Sequence, residues 1–164
     1  MQGHEVRKRY DILVVEDNRD DIVFIEEALS ETDYDVSLNV VRDGEEAVGY
    51  LERISAGEKG TPDLVFLDLN LPRKSGLEFL HEMRGRERFR LVPVVVLTTS
   101  KAEDDIRKSY ENFANSYIVK PIDLNEFIRL IRQVTGFWFN IAVLPGGYCE
   151  QGKYPSSSRR GQCG

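Results

Sequence analysis

Apolar residues gather in five short runs, and each run is followed by a longer stretch in which apolar positions recur every three or four residues. The runs occupy residues 12–15, 36–41, 64–67, 94–97 and 117–119. Four of them are nearly unbroken and rich in Val, Ile and Leu, the pattern of strands covered on both faces of a parallel sheet. The second is interrupted by Ser37 and Asn39 and reads as an edge strand. The stretches between carry helical stripes: Ile22, Ile25 and Leu29; Ala47, Val48 and Leu51; Leu77, Leu80 and Met83; Leu124, Phe127, Ile128 and Ile131.

Capping signals mark where those helices begin. Ser75 precedes Glu78 by three residues, Ser100 precedes Glu103, Asp43 precedes Glu46 and Asp123 precedes Glu126, with Asn18 and Asp21 a weaker relative. In such a pair the first side chain accepts from free helix amides while the second reaches back. Five strands alternating with five helices predict an α/β domain, a doubly wound parallel sheet with right-handed crossovers. Such sheets carry their ligands beyond the carboxyl ends of the strands, where the strand order switches direction.

Composition narrows the function without naming it. The 164 residues carry 22 Lys and Arg against 28 Asp and Glu, a net charge of −6. That acidity argues against sequence-independent nucleic-acid binding, which needs a basic field, and no helix-turn-helix pattern follows residue 145. The length suits one compact domain and leaves almost no room for a second folded output domain. No apolar run approaches a membrane span, and the polar segment 1–9 lacks the apolar centre of a signal peptide; a cytoplasmic protein is expected. The domain is expected over 10–145, with 146–164 a flexible tail poor in apolar residues. Cys149 and Cys163 have no metal-ligand spacing.

Chemistry concentrates where the strands end. The first strand runs into Glu16 and Asp17, the third into Asp68, the fourth into Thr98, and the fifth into Lys120 and Pro121. Were strands one and three neighbours, three carboxylates would converge and repel unless one stayed protonated or a cation joined them. A hard, oxygen-seeking ion such as Mg²⁺ answers that need, with the Asn70 backbone carbonyl as a further oxygen. Lys120 supplies a compact positive charge suited to a phosphoryl oxygen. Asp68 as nucleophile, Thr98 as hydrogen-bond donor and Lys120 as charge neutraliser would make a phosphoryl-transfer site.

These residues, in this order, resemble the response-regulator receiver domain of two-component signalling. Thr98 stands 30 residues and Lys120 52 residues after Asp68, intervals that fit that family. The resemblance covers about residues 10–144 and implies a flavodoxin-like sheet of order 2-1-3-4-5. It also implies phosphorylation of Asp68 by a histidine kinase, and direct Mg²⁺ contacts from Asp17, Asp68 and the Asn70 carbonyl, with Glu16 acting through water. A cis Lys120–Pro121 peptide is implied as well, and a switch in which Thr98 moves and Tyr117 turns inward, altering the face of the fourth helix, fifth strand and fifth helix. Segments 69–77 and 94–106 and the linker 55–62 are similar to the small single-domain regulators paired with bacterial phytochromes, which implies a phytochrome-type sensor kinase as partner.

Two other functions compete with this one. An Asp-nucleophile phosphatase wants a second acid two residues after the nucleophile, where this chain has Asn70. A flavodoxin-like binding module wants a hydroxyl- or Gly-rich loop after the first strand, where this chain has Asp17, Asp20 and Asp21. Further along, Phe137, Trp138 and Phe139 exceed the apolar surface one helix stripe needs. They fit either a homodimer interface across the fourth-helix to fifth-helix face or a segment folded back on its own domain. Arg84, Arg86, Arg88 and Arg90 are expected in a solvated loop, and His81 on a helix surface.

Overall fold

The computed structural model describes residues 8–145. The predicted polar segment at the N-terminus lies almost wholly outside them, and the predicted tail with both cysteines lies entirely outside. Within them the chain alternates as the patterning predicts: β1 (Arg9–Val15), α1 (Arg19–Ser30), β2 (Asp35–Val41), α2 (Gly44–Ser55), β3 (Leu64–Leu67), α3 (Gly76–Gly85), β4 (Val94–Thr98), α4 (Glu103–Glu111), β5 (Ser116–Val119) and α5 (Leu124–Gly136). A 3₁₀ turn (Glu87–Phe89) follows α3, and a widened π turn (Phe137–Ile141) continues α5.

All five strands are parallel, in the order β2-β1-β3-β4-β5. The switch point therefore falls between β1 and β3, and Val15 lies opposite Leu67 in register. The residues that follow these two strands are Glu16 and Asp68, so the register alone brings their carboxyl groups to one end of the sheet. Alternate strand residues feed two separate cores, as a period of two requires. Leu13, Val15, Val65, Leu67, Val94 and Val96 face α2 and α3, while Ile12, Val14, Leu64, Phe66, Val95 and Leu97 face α1 and α5.

β2 occupies one edge, as its broken pattern predicts. β5 occupies the other and is half-buried along its length, although its run reads as interior. Three apolar residues are too few to tell an edge from a centre, and Ser116 and Tyr117 face partly toward solvent.

The caps hold with one exception. Ser75 and Glu78 form the full reciprocal box, Asn18 accepts from the Asp20 and Asp21 amides, and Asp43 and Asp123 each accept from the amide three residues on. α4 instead begins after Ala102 with no side-chain cap, and Ser100 bonds the Asp105 carboxylate at 2.5 Å. Ser100 stands two residues before the N-cap position, so its Oγ accepts from the Ala102 amide at 3.3 Å and not from an amide within the helix. α4 also buries only Ser109 fully, which leaves it the most lightly anchored helix.

Arg84 is not in a solvated loop. It ends α3, and its guanidinium donates to the carbonyls of Phe89, Arg90, Val92 and Phe113 and to the Asn115 side chain, at 2.8–3.2 Å. One planar fork thereby ties α3, the entry to β4 and the α4–β5 turn together. The aromatic segment divides its roles. Phe139 is buried and stacks on Tyr10 at a centroid distance of 3.9 Å, whereas Phe137, Ile141 and Val143 are exposed.

Candidate functional site

Four strand ends and one helix build the site. Glu16 and Asp17 leave β1, Asp68 leaves β3, Thr98 is the last residue of β4, and Lys120 follows β5. Glu16, Asp68, Thr98 and Lys120 are all buried, and Asp17 is exposed at the mouth. Carboxylate oxygens of Glu16, Asp17 and Asp68 lie within 4.8 Å of one another.

The Lys120 ammonium stands among these acids. It donates to Glu16 Oε2 at 2.6 Å, to Asp21 Oδ2 at 2.7 Å and to Asp68 Oδ2 at 3.3 Å. The Lys120–Pro121 bond is trans, since the described residues contain no cis peptide, and the side chain spans to the acids from that geometry. On the far side of Asp68, its Oδ1 accepts from the Asn70 amide at 3.3 Å. The Asn70 side chain donates to Thr98 Oγ1 at 3.5 Å, so Thr98 meets Asp68 through Asn70.

Burial sets the electrostatics. Glu16 is pushed up to about 7, first by its removal from water and then by the charge of Asp68, with the Lys120 bond working against both. Lys120 loses solvation too, but its bonds to Asp21 and then Glu16 outweigh that loss and raise its pKa. It therefore stays cationic. Three carboxyl groups then share one ammonium with Asp17 close by, and acidic groups outnumber positive charge at this end of the sheet.

A hard divalent ion fits this donor set. Every donor of the cluster is a carboxylate oxygen, and all three lie within 4.8 Å of one another, near enough for one ion to reach with modest side-chain movement. A glycine closes the site from beneath. A Cβ on Gly76 would stand 2.1 Å from the Asp68 carbonyl oxygen, so only glycine lets the start of α3 pass so close to the Asp68 backbone.

Residues 12–132 match the model of the response regulator receiver domain family. The chain belongs to that family. The receiver is 38% identical over 135 residues to the response regulator Rcp1 of Synechocystis, covering 82% of this chain and 92% of Rcp1. It is 36% identical over 142 residues to the probable methanogenesis regulatory protein FilR2 of Methanothrix harundinacea, covering 87% and 92%. Among solved structures, the phosphorylated cyanobacterial phytochrome response regulator RcpA matches with a TM-score of 0.81 at 40% identity, over 84% of this chain and 99% of RcpA. The Mn²⁺-bound form of Rcp1 matches with a TM-score of 0.78 at 36% identity, over 83% and 99%.

The receiver's switch candidates are physically linked. Thr98 Oγ1 accepts from the Ser100 amide at 3.4 Å, and the Ser100 carbonyl accepts from the Tyr117 hydroxyl at 2.9 Å. Tyr117 is half-buried, and burial raises its phenol pKa. Asp21 is the contact that sequence reasoning missed, having been assigned to helix capping. Its bond to Lys120 joins residues 99 apart, and no local spacing marks it. His81 bonds the Asn112 side chain at 2.9 Å, well away from the acids.

Proposed function

We propose that the protein is a stand-alone response regulator that accepts a phosphoryl group on Asp68 from a cytoplasmic histidine kinase of phytochrome type. Support comes from one arrangement above all: a buried acid at the end of β3, 3.3 Å from a buried ammonium and within 4.8 Å of two further carboxylates. A lone strand-end acid would be capped or solvated. This one is surrounded by charge it does not need for folding.

The step is a transfer between two nucleophiles. An Asp68 carboxylate oxygen attacks the phosphorus of a phosphohistidine, the O–P bond forms as the P–N bond breaks, and the bond's electron pair returns to the imidazole. Asp17, Asp68 and the Asn70 carbonyl are the direct Mg²⁺ ligands in this reading, with Glu16 acting through water. The ion, when bound, offsets charge on the phosphoryl oxygens and aligns them. Lys120 neutralises a further oxygen, and the Thr98 hydroxyl donates to another. Thr98 is suited to this because its hydroxyl's bonds to the Ser100 amide and the Asn70 side chain are long, 3.4 and 3.5 Å, and hold it weakly.

Phosphorylation replaces one negative charge at Asp68 with about two. Movement of Thr98 toward that charge would pull on Ser100 and release or draw in Tyr117, which is tied to the same residue. α4 is the neighbouring helix least held by the core, so the α4–β5–α5 face is where the change would be read. No helix of the described residues is long and apolar enough to cross a membrane. The phytochrome-type partner rests on the likeness to RcpA.

Incubation with Mg²⁺ and acetyl phosphate is expected to label the wild-type protein and to leave Asp68→Asn unlabelled. Label retained in that variant would put the acceptor elsewhere. Faster transfer from a sensor kinase without a phytochrome module than from one with it would overturn the choice of partner.

A further inference from the structure

The Lys120 ammonium has three hydrogens, and three carboxylates occupy them. The bonds are unequal: 2.6 Å to Glu16, 2.7 Å to Asp21 and 3.3 Å to Asp68. The residue assigned as phosphoacceptor thus has the weakest hold on the cation assigned to serve it. Glu16 belongs to the triad of close carboxylates and Asp21 does not. Asp21 sits on the first turn of α1, where Asn18 Oδ1 accepts from its amide at 3.1 Å and fixes its backbone. Its side chain is about one-quarter exposed, while the lysine it reaches is buried.

We infer that Asp21 is a positioning residue of the phosphoryl-transfer site, holding the Lys120 ammonium on the α1 side so that an incoming phosphoryl group must compete with it for the lysine. The inference rests on the receiver reading of Asp68 and Lys120. A compact ammonium has no second fork to offer, so each hydrogen given to a phosphoryl oxygen is withdrawn from a carboxylate. Glu16 can be satisfied within the acid triad once a cation is shared there. Drawing the ammonium from its long 3.3 Å contact with Asp68 into a short bond with a phosphoryl oxygen there pulls it away from Asp21, which now holds it at 2.7 Å. The cost of leaving Asp21 lowers the occupancy of the phosphorylated form and ties that form to the first turn of α1.

Beryllofluoride, a phosphoryl mimic, tests this at saturating Mg²⁺, with bound fluoride counted by ¹⁹F NMR. Asp21→Asn keeps the side-chain shape and the backbone contact, and is expected to bind the mimic roughly three- to tenfold more tightly than wild type. Asp21→Ala is expected to move in the same direction. Asp20→Asn removes the same charge from the same turn, away from Lys120, and is expected to stay within about twofold of wild type. A purely structural role for Asp21 predicts weaker or unchanged binding. Unchanged or weaker binding in both Asp21 variants overturns the inference, as does an equal gain in Asp20→Asn. If the wild type binds no beryllofluoride and takes no label, the receiver reading itself fails, and this inference with it.

Discussion

Glu16 has the most consequential protonation equilibrium in the molecule. Its carboxyl, pushed up to about 7 by burial and by Asp68, is raised above its value in the unfolded chain. Between the two values the folded state holds a proton that the unfolded state has released, so this group favours folding least once the pH passes 7. A cation that draws on Glu16 must displace that proton. Mg²⁺ affinity measured by titration calorimetry is therefore expected to rise roughly tenfold from pH 6 to pH 8. Glu16→Gln should flatten that slope. Lys120 behaves oppositely and remains charged throughout the range, so Lys120→Ala is expected to impair the response to phosphorylation more than Mg²⁺ binding. Arg84 belongs to this scale too. Arg84→Ala removes several charge-assisted bonds to backbone carbonyls, two of them part-buried, and is expected to cost about 2–3 kcal/mol in urea denaturation.

Among the elements, α4 and α3 make opposite bargains with the core. α4 has no side-chain cap and a single fully buried residue, Ser109, the signature of a segment that opens locally. Amide exchange is expected to be faster in α4 than in α5, and to slow when beryllofluoride is bound. α3 is held by a complete capping box and by the close approach of Gly76 to the Asp68 carbonyl. Gly76→Ala is expected to perturb the acceptor loop itself, lowering both stability and the rate of labelling by acetyl phosphate. The sequence made α3 legible because Ser75 and Glu78 can satisfy each other locally. α4 was misread at its start because Ser100 and Glu103 have the spacing of a capping pair while the helix begins only after Ala102, and Ser100 serves the turn before it, bonding the Ala102 amide and the Asp105 carboxylate. Asp21 failed to register because its bond to Lys120 crosses 99 residues of chain.

Across the whole molecule, the order of the strands did most of the predictive work. Unbroken runs at β1, β3 and β4 foretold a buried parallel centre, and the switch point then placed Glu16 beside Asp68. β5 was less readable because four residues give an edge strand too little room to show alternation. In the aromatic segment after α5 Phe139 folds back on its own domain, while Phe137 faces outward. Phe139→Ala should cost about 3 kcal/mol by loss of the stack on Tyr10 and its buried surroundings. Phe137→Ala should leave monomer stability nearly unchanged, while sedimentation in the presence of beryllofluoride should show weakened self-association if the exposed face is a homodimer contact.

The stack of Phe139 on Tyr10 also joins the turn after α5 to the start of β1. Tyr10 is at the entrance of β1 and Glu16 just past its exit, about 20 Å apart along an extended strand. Phe139 is thereby held beside Tyr10 at the end of β1 opposite the acids. Substitutions in this aromatic stack are therefore expected to change stability while leaving the contacts of the phosphoacceptor in place.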